Sequence, residues 1–149
     1  MGSLYDRDLA LWAAEQAQAL RTASRAGSNL AVDWDNVAEE IESLGITERR
    51  ALASHILVVL EHLMKLQASP AQEPVRGWRD SIRRARRDIE RLLAASPSLR
   101  RDVPAMLADE TAAARVLVRA SMADFGEQPL TDLDAITYAE SQVLGDWLP

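Results

Sequence analysis

Residues 33–45 read Asp-Trp-Asp-Asn-Val-Ala-Glu-Glu-Ile-Glu-Ser-Leu-Gly. The apolar residues of this stretch recur at the spacing of one helix face, at Trp34, Val37, Ala38, Ile41 and Leu44. A second face is acidic and carries Asp35, Glu39 and Glu42. Asp33 or Asp35 can cap the N-terminus of such a helix, and Gly45 stands where helices commonly end. The stretch therefore predicts a short amphipathic helix that ends at Gly45.

Helical spacing recurs along the rest of the chain, whereas the alternation typical of β-strands is nearly absent. We predict a first helix that is capped by Ser3 and Asp6 and ended by residues 26–29. Three longer helices follow the 33–45 stretch, over about 47–67, 75–95 and 99–122. A last helix is capped by Thr137 and Glu140 and ended by Gly145. Pro104 lies inside the fifth helix, so either the helix begins near Asp102 or the proline kinks it. The predicted fold class is all-α, a helical bundle of four longer helices plus two short helices.

Composition limits the classes of function. A length of 149 residues indicates a single helical domain over 1–149. The absence of cysteine excludes disulfides and thiolate chemistry and fits the reducing cytoplasm, which is the expected location. The longest apolar runs, such as Leu9–Ala14 and Ile56–Leu60, are far shorter than the ~20 residues of a membrane span, and no signal peptide is recognisable, so no membrane association is expected. A net charge of −6 argues against general attraction to nucleic acid.

A polar cluster is the first candidate site. His55 and His62 are seven residues apart and project from one side of the central helix, and the carboxylates of Glu39, Glu42 and Glu61 can approach them. Lys65 lies on the same polar strip. Helical bundles build metal sites from such side chains, but the paired Glu-x-x-His pattern of the di-iron bundles is missing. We therefore expect these residues to form hydrogen bonds and ion pairs, with no metal and no cofactor. If a metal is bound, the ligands would be His55, His62, Glu39 and Glu42.

Glu110 is the second candidate, because it interrupts the apolar line Val103, Leu107, Ala114 and Leu117 of the fifth helix. A carboxylate on that face needs a partner, or its pKa must rise. An arginine of the fourth helix or His62 would be the natural partner. The functional interpretation is a general base in a pocket, and the structural one, which we favour, is a buried ion pair.

Arginines dominate the fourth helix and the residues after it, with nine between Arg76 and Arg101. Arg79, Arg83, Arg84 and Arg87 form a candidate ion-pair or phosphate-binding surface. No stacking aromatic residues are interleaved with them, which argues against single-stranded nucleic acid. The favoured interpretation is pairing with Glu39, Glu40 and Glu42, within the chain or across a dimer.

Several motifs, in this order, resemble a known bacterial family. They are the 33–45 stretch, Glu48-Arg49-Arg50, His62-Leu63-Met64-Lys65, Trp78, Ser96-Pro97-Ser98-Leu99 and Asp146-Trp147-Leu148-Pro149. Together they make the chain similar to family 29 of the domains of unknown function, over nearly its full length. The chain departs from the family at Leu66, where a tryptophan is common, and around Pro104. The resemblance implies an all-helical fold and no established activity.

The sequence contains no complete catalytic constellation, so the leading functional hypothesis is a non-enzymatic helical protein-interaction module. Its partner would be another protein or a second copy of the chain in a homodimer. A metal-dependent enzyme that uses Glu39, Glu42, His55 and His62 is the alternative. Weak nucleic-acid binding through the arginine-rich helix is the third hypothesis.

Overall fold

The computed structural model of the protein describes residues 2–149. These residues contain six α-helices, four of them long, and no β-strand. The helices are α1 (Leu4–Arg7), α2 (Leu9–Arg25), α3 (Trp34–Ala68), α4 (Val75–Ala95), α5 (Val103–Asp124) and α6 (Glu140–Leu144). Short 3₁₀ segments cover Pro97–Asp102 and Leu133–Ala135. The predicted all-α fold with four longer and two short helices is confirmed, although the short ones are α1 and α6.

The prediction that Gly45 ends a short helix is wrong, because α3 runs through it from Trp34 to Ala68. The helix begins where predicted, since Asp33 accepts a hydrogen bond from the backbone N–H of Asn36 at 3.4 Å. Gly45 instead lies against α2: a β-carbon there would be 3.3 Å from the carbonyl oxygen of Ala10. Glycine inside a helix costs about 1 kcal/mol relative to alanine, but here it allows two backbones to approach closely.

The first predicted helix is interrupted at Asp8, whose backbone is extended (φ −157°, ψ 91°). Before the break, Ser3 and Asp6 cap α1 as predicted, with the Ser3 N–H 2.9 Å from the Asp6 carboxylate. After the break, Asp8 caps α2 by accepting the Leu11 N–H at 2.9 Å. Gly27, at φ +78°, follows the end of α2 as predicted. A single aspartate thus ends one helix and begins the next.

The predicted starts of α5 and α6 can be compared with the observed ones. Pro104 occupies the first turn of α5, so the helix begins there and the kink alternative is wrong. The last helix is not capped by Thr137, because it begins at Glu140 after Ala139. The side-chain oxygen of Gln142 accepts the Ala139 N–H at 2.8 Å in its place. Gly145 ends α6 as predicted.

The described chain divides into two compact units, and α3 and α4 contribute residues to both. Unit 1 comprises the described residues up to Ala51 together with Arg91–Arg100, and unit 2 comprises Leu52–Glu90 and Arg101–Pro149. The buried apolar residues of unit 1 are mostly small: Ala10, Ala13, Ala17, Ala38, Leu93 and Leu99. Those of unit 2 are larger aliphatic side chains, of which the fully buried ones include Leu52, Ile56, Leu60, Leu63, Met64, Ile82, Val103, Val118 and Val143. The expectation of one domain over 1–149 stays a prediction.

Across residues 2–149, every helix lacks the combination of length and apolar character that crossing a bilayer requires.

Candidate functional site

The two histidines of the predicted polar cluster have different partners. His55 Nδ1 lies 4.0 Å from a carboxylate oxygen of Asp88. His62 Nδ1 lies 2.7 Å from the carbonyl oxygen of Val58, so this nitrogen carries the proton and donates it. Among residues 2–149, no three His, Asp or Glu side chains are arranged to hold a metal ion. The metal-enzyme alternative therefore has no geometric support in the described chain.

The two acidic residues at the start of α3 that the cluster includes, Glu39 and Glu42, lie in unit 1. Arg21 of α2 donates to both carboxylate oxygens of Glu42, at 2.7 and 3.3 Å. These hydrogen bonds, together with the attraction of the guanidinium charge, lower the pKa of the Glu42 carboxyl. Glu39 is exposed in the same unit. Within the chain, Arg21 takes the place that the prediction gave to an α4 arginine or His62, and pairing of Glu42 across a dimer stays a prediction.

Glu61 and Lys65, one turn apart on α3, form an ion pair of 2.7 Å whose side chains are only 22% and 15% exposed. Lys65 also lines a cavity of about 730 Å³ in unit 2, with Trp78 and Phe125 among its other lining residues. The ammonium group is thus neutralised by its own helix. It is not available as an isolated cation for a ligand.

Glu110 is half-buried on α5 and forms no hydrogen bond or ion pair with residues 2–149. Burial raises the pKa of its carboxyl, and the neighbouring charge of Asp109 raises it further. The predicted partners, an α4 arginine or His62, do not reach it. The buried ion pair that the sequence analysis favoured is therefore wrong for residues 2–149.

The α4 arginines fall into two groups. Arg79, Arg84 and Arg87 are exposed, and Arg83 pairs with Asp80 on its own helix at 2.6 Å. Arg86, which the sequence analysis did not single out, is half-buried and donates to three backbone carbonyls of the C-terminal segment, those of Gln142, Val143 and Trp147. The spacing of apolar residues on α4 could have indicated it, since Arg86 lies four residues after the buried Ile82 and three before the buried Ile89.

Helix α5 is apolar on two opposite sides. Its inner side buries Val103, Met106, Ala114, Val118 and Met122. Its outer side, the outer α5 face, consists of exposed residues at helical spacing, namely Ala105, Ala108, Asp109, Ala112, Val116, Arg119, Ala120 and Ala123. A surface helix normally presents polar residues to solvent, so an apolar outer side is unusual.

The most exposed large side chain of this face is Val116, at 64%. Leu117 beside it is 43% exposed, and Phe125, directly after the helix, is 79% exposed. The only charges on the face are Asp109 and Arg119, and Arg119 is 2.9 Å from Asp134. Contiguous apolar exposure with few charges is typical of surfaces that contact another molecule. The sequence analysis recorded the inner line of α5 and missed this outer one.

Comparison with known proteins agrees with the fold and gives no activity. The sequence profile of a family described as "Domain of unknown function DUF29" matches residues 4–144. No curated protein sequence matches the chain. The fold is similar to that of an α-helical protein of unknown function from Rhodospirillum rubrum, with a TM-score of 0.73 and 22% sequence identity. The similarity covers 98% of this chain and 92% of the other.

Proposed function

The chain belongs to the DUF29 family of domains of unknown function, and we propose that it is a non-enzymatic helical interaction module that binds a second copy of itself through the outer α5 face. The observation that carries the proposal is the composition of that face. Its exposed residues are apolar except for one acid and one base, Asp109 and Arg119.

The positions of these residues are symmetric about Ala114. Asp109 and Arg119 each lie five residues from it, on opposite sides. Ala114 itself is buried on the inner side, so the two-fold axis would cross the outer α5 face between Ala112 and Val116. When two copies of α5 pack antiparallel about that axis, Asp109 of each copy faces Arg119 of the other. The same operation places Val116 opposite Ala112 and pairs the outer alanines with one another. Antiparallel packing also aligns the helix dipoles favourably. The charges and the shape of the face therefore both favour a second copy of the chain as its partner.

The dimensions of the face predict a weak dimer. The 19 residues from Ala105 to Ala123 span about 27 Å, since each of the 18 steps between them rises 1.5 Å. The surface area that a single helix pair of that length buries lies at the low end of the range for protein interfaces. A total buried area of about 1,200 Å² separates stable from transient association. We therefore expect a reversible dimer with a dissociation constant in the micromolar range.

The test is sedimentation velocity of the full chain over a concentration series from about 1 to 300 μM, a range that brackets the expected constant. Wild-type protein should move from monomer to dimer. Val116→Arg should remain monomeric, because it places two like charges at the centre of the interface. Leu30→Arg is the matched control, since Leu30 is 68% exposed and lies outside the face. It should dimerise like wild type.

Charge reversal separates this geometry from unspecific apolar contact. Asp109→Arg alone and Arg119→Asp alone should each weaken the dimer, since each creates two repulsive pairs. The double reversal should restore it, because the symmetric pairing then recovers opposite charges. Arg119→Asp also removes the surface ion pair with Asp134, so Asp134→Asn serves as its control. Wild-type protein that stays monomeric, or a double reversal no better than the single variants, would disprove the proposal.

Two finer expectations belong with this proposal. A single functional domain is supported by the family profile, which extends from residue 4 to residue 144 without interruption. A location in the bacterial cytoplasm is supported by the absence of cysteine. Fractionation of the native host with an antibody to the protein would test the location.

A further inference from the structure

A groove of about 600 Å³ lies in unit 2 between one face of α4 and the segment that follows α6. Its α4 side contributes Arg79, Ile82, Arg83, Arg86, Arg87 and Glu90. The facing segment contributes Leu144, Gly145, Asp146 and Leu148. We call this the arginine groove. It is separate from the outer α5 face, because none of its lining residues belongs to α5.

Arg86 holds the two walls of the groove together. Its Nε donates to the carbonyl oxygen of Val143 at 3.0 Å, and one terminal nitrogen donates to those of Gln142 and Trp147, both at 2.7 Å. All three acceptors are neutral, so no carboxylate pairs with this guanidinium through a hydrogen bond. The C-terminal segment is thereby fixed against α4, and the groove is formed before any ligand arrives.

The charge of the groove is opposite to that of the protein. Four arginines and two carboxylates, Glu90 and Asp146, line the groove, and Asp80 neutralises one of the arginines, Arg83. The groove therefore keeps a formal charge of +1 in a chain whose net charge is −6. Arg79 and Arg87 are exposed and form no ion pair with residues 2–149. Their planar guanidinium groups can each donate two hydrogen bonds to the oxygens of one anion.

The groove also has an apolar part. Ile82 is fully buried at its base, and Leu144 and Leu148 are half-buried on the facing wall. An inorganic ion would leave Leu144 and Leu148 without contact, whereas a ligand with a short hydrocarbon or ring portion would cover them. Ligand sites commonly combine such an apolar lining with a few polar groups that fix orientation.

We propose that the arginine groove binds a small organic phosphate, with the phosphate between Arg79 and Arg87 and the apolar part of the ligand against Leu144 and Leu148. A nucleic acid fits less well. The groove presents no exposed aromatic ring for base stacking, and the acidic remainder of the chain repels an extended polyanion. A small dianion experiences mainly the local positive charge.

The test is calorimetric titration of the full chain at low ionic strength with three probes: phenyl phosphate, inorganic phosphate and benzylamine. Phenyl phosphate should bind saturably. Inorganic phosphate should bind several-fold more weakly, because it lacks the apolar portion, and benzylamine should not bind. A single-stranded oligonucleotide in a fourth titration distinguishes a small ligand from a nucleic acid.

Four surface substitutions locate the site. Arg79→Gln combined with Arg87→Gln should weaken phenyl phosphate binding by about tenfold or more, because each loses charge-assisted hydrogen bonds. Arg84→Gln is the matched control: the same residue type is exposed on the same helix but does not line the groove. It should change affinity by less than about twofold, since charges separated by solvent are screened. Glu90→Gln should strengthen binding by about threefold, because it removes a repulsive carboxylate.

These variants change exposed residues, and thermal melts would verify that each is folded. No saturable binding of phenyl phosphate by wild-type protein at concentrations up to about 10 mM, a bound that corresponds to less than about 3 kcal/mol, would overturn the proposal. Equal losses from Arg84→Gln and from the Arg79 and Arg87 double variant would also overturn it. Tighter binding of the oligonucleotide, reduced by Arg84→Gln, would replace it with a nucleic-acid surface.

Discussion

Asp8 provides a sharp test of how unit 1 is held together, because one buried carboxylate connects residues 90 positions apart. It is 8% exposed and accepts three hydrogen bonds. They come from the Leu11 N–H at 2.9 Å, the Ser98 N–H at 2.7 Å and the Ser98 hydroxyl at 2.8 Å. The perturbation is Asp8→Ala, which removes the cap of α2 and both contacts to the segment after α4.

The expected cost follows from these contacts. Loss of an N-terminal cap costs about 1 kcal/mol. Each hydrogen bond to a charged group contributes about 1.5–3 kcal/mol, but water can reach the half-buried Ser98 after the substitution and recover part of that. We expect Asp8→Ala to lower the free energy of unfolding by about 3 kcal/mol. For a chain of this size that corresponds to a decrease in melting temperature of about 6–12 °C.

The assay is urea unfolding followed by circular dichroism at 222 nm, with Asp6→Ala as control. Asp6 is also an acid in a capping position, but it is exposed and serves only the four-residue α1, so its loss should cost less than about 1 kcal/mol. Asp8→Asn keeps one acceptor oxygen and should fall between the two.

A double-mutant cycle with Ser98→Ala tests the long-range contact itself. The two substitutions should be less than additive, by about 1 kcal/mol, because each removes the same hydrogen bond. If Asp8→Ala and Asp6→Ala destabilise equally, or if Asp8→Ala and Ser98→Ala are additive, the carboxylate does not connect these segments.

Two further predictions concern α3 and α5. Gly45→Leu should lower the free energy of unfolding by about 2–3 kcal/mol, because the leucine side chain has no space beside Ala10. Gly45→Ala should change the free energy of unfolding by less than about 1 kcal/mol, since the better helix propensity of alanine offsets the tight contact. Urea unfolding measures both, and a leucine variant as stable as wild type would contradict the close approach of α2. Glu110→Gln should raise the melting temperature at pH 7 but not at pH 4. Because folding raises the pKa of the Glu110 carboxyl, this group contributes most to stability below its ordinary pKa of 4.5, and the contribution is lost as pH rises through the pKa of the folded state. Glutamine removes the buried charge that causes this loss. An equal difference at both pH values, measured by calorimetry, would contradict burial as the cause.

The sequence analysis grouped most of the α4 arginines that line the arginine groove. Helical spacing from Arg79 through Arg83 to Arg87 places three of the four predicted arginines on one side of α4, and all three line the arginine groove. Arg84 is one position away from that line, and it does not line the groove. The predicted contacts of the histidine–carboxylate cluster do not form within the described chain. Sequence spacing identifies residues that share a helix face, but it does not identify the side chains that pack opposite them.

The chain by itself determined those features that depend on neighbours a few residues away. The helical content, the cap formed by Ser3 and Asp6, the end of α2 before Gly27 and the start of α5 at Pro104 all follow from local dihedral preferences and hydrogen bonds within one turn. Such interactions are nearly the same in any tertiary context, so the sequence pattern is sufficient to predict them.

Tertiary structure decided the features that depend on distant partners. Asp8 breaks the first helix because Ser98 supplies two of the donors for its carboxylate, and Gly45 continues α3 because Ala10 lies against it. The same holds for Glu42, whose charge is neutralised by Arg21 on another helix. In each case a local preference worth about 1 kcal/mol competes with contacts that exist only after distant segments have packed together.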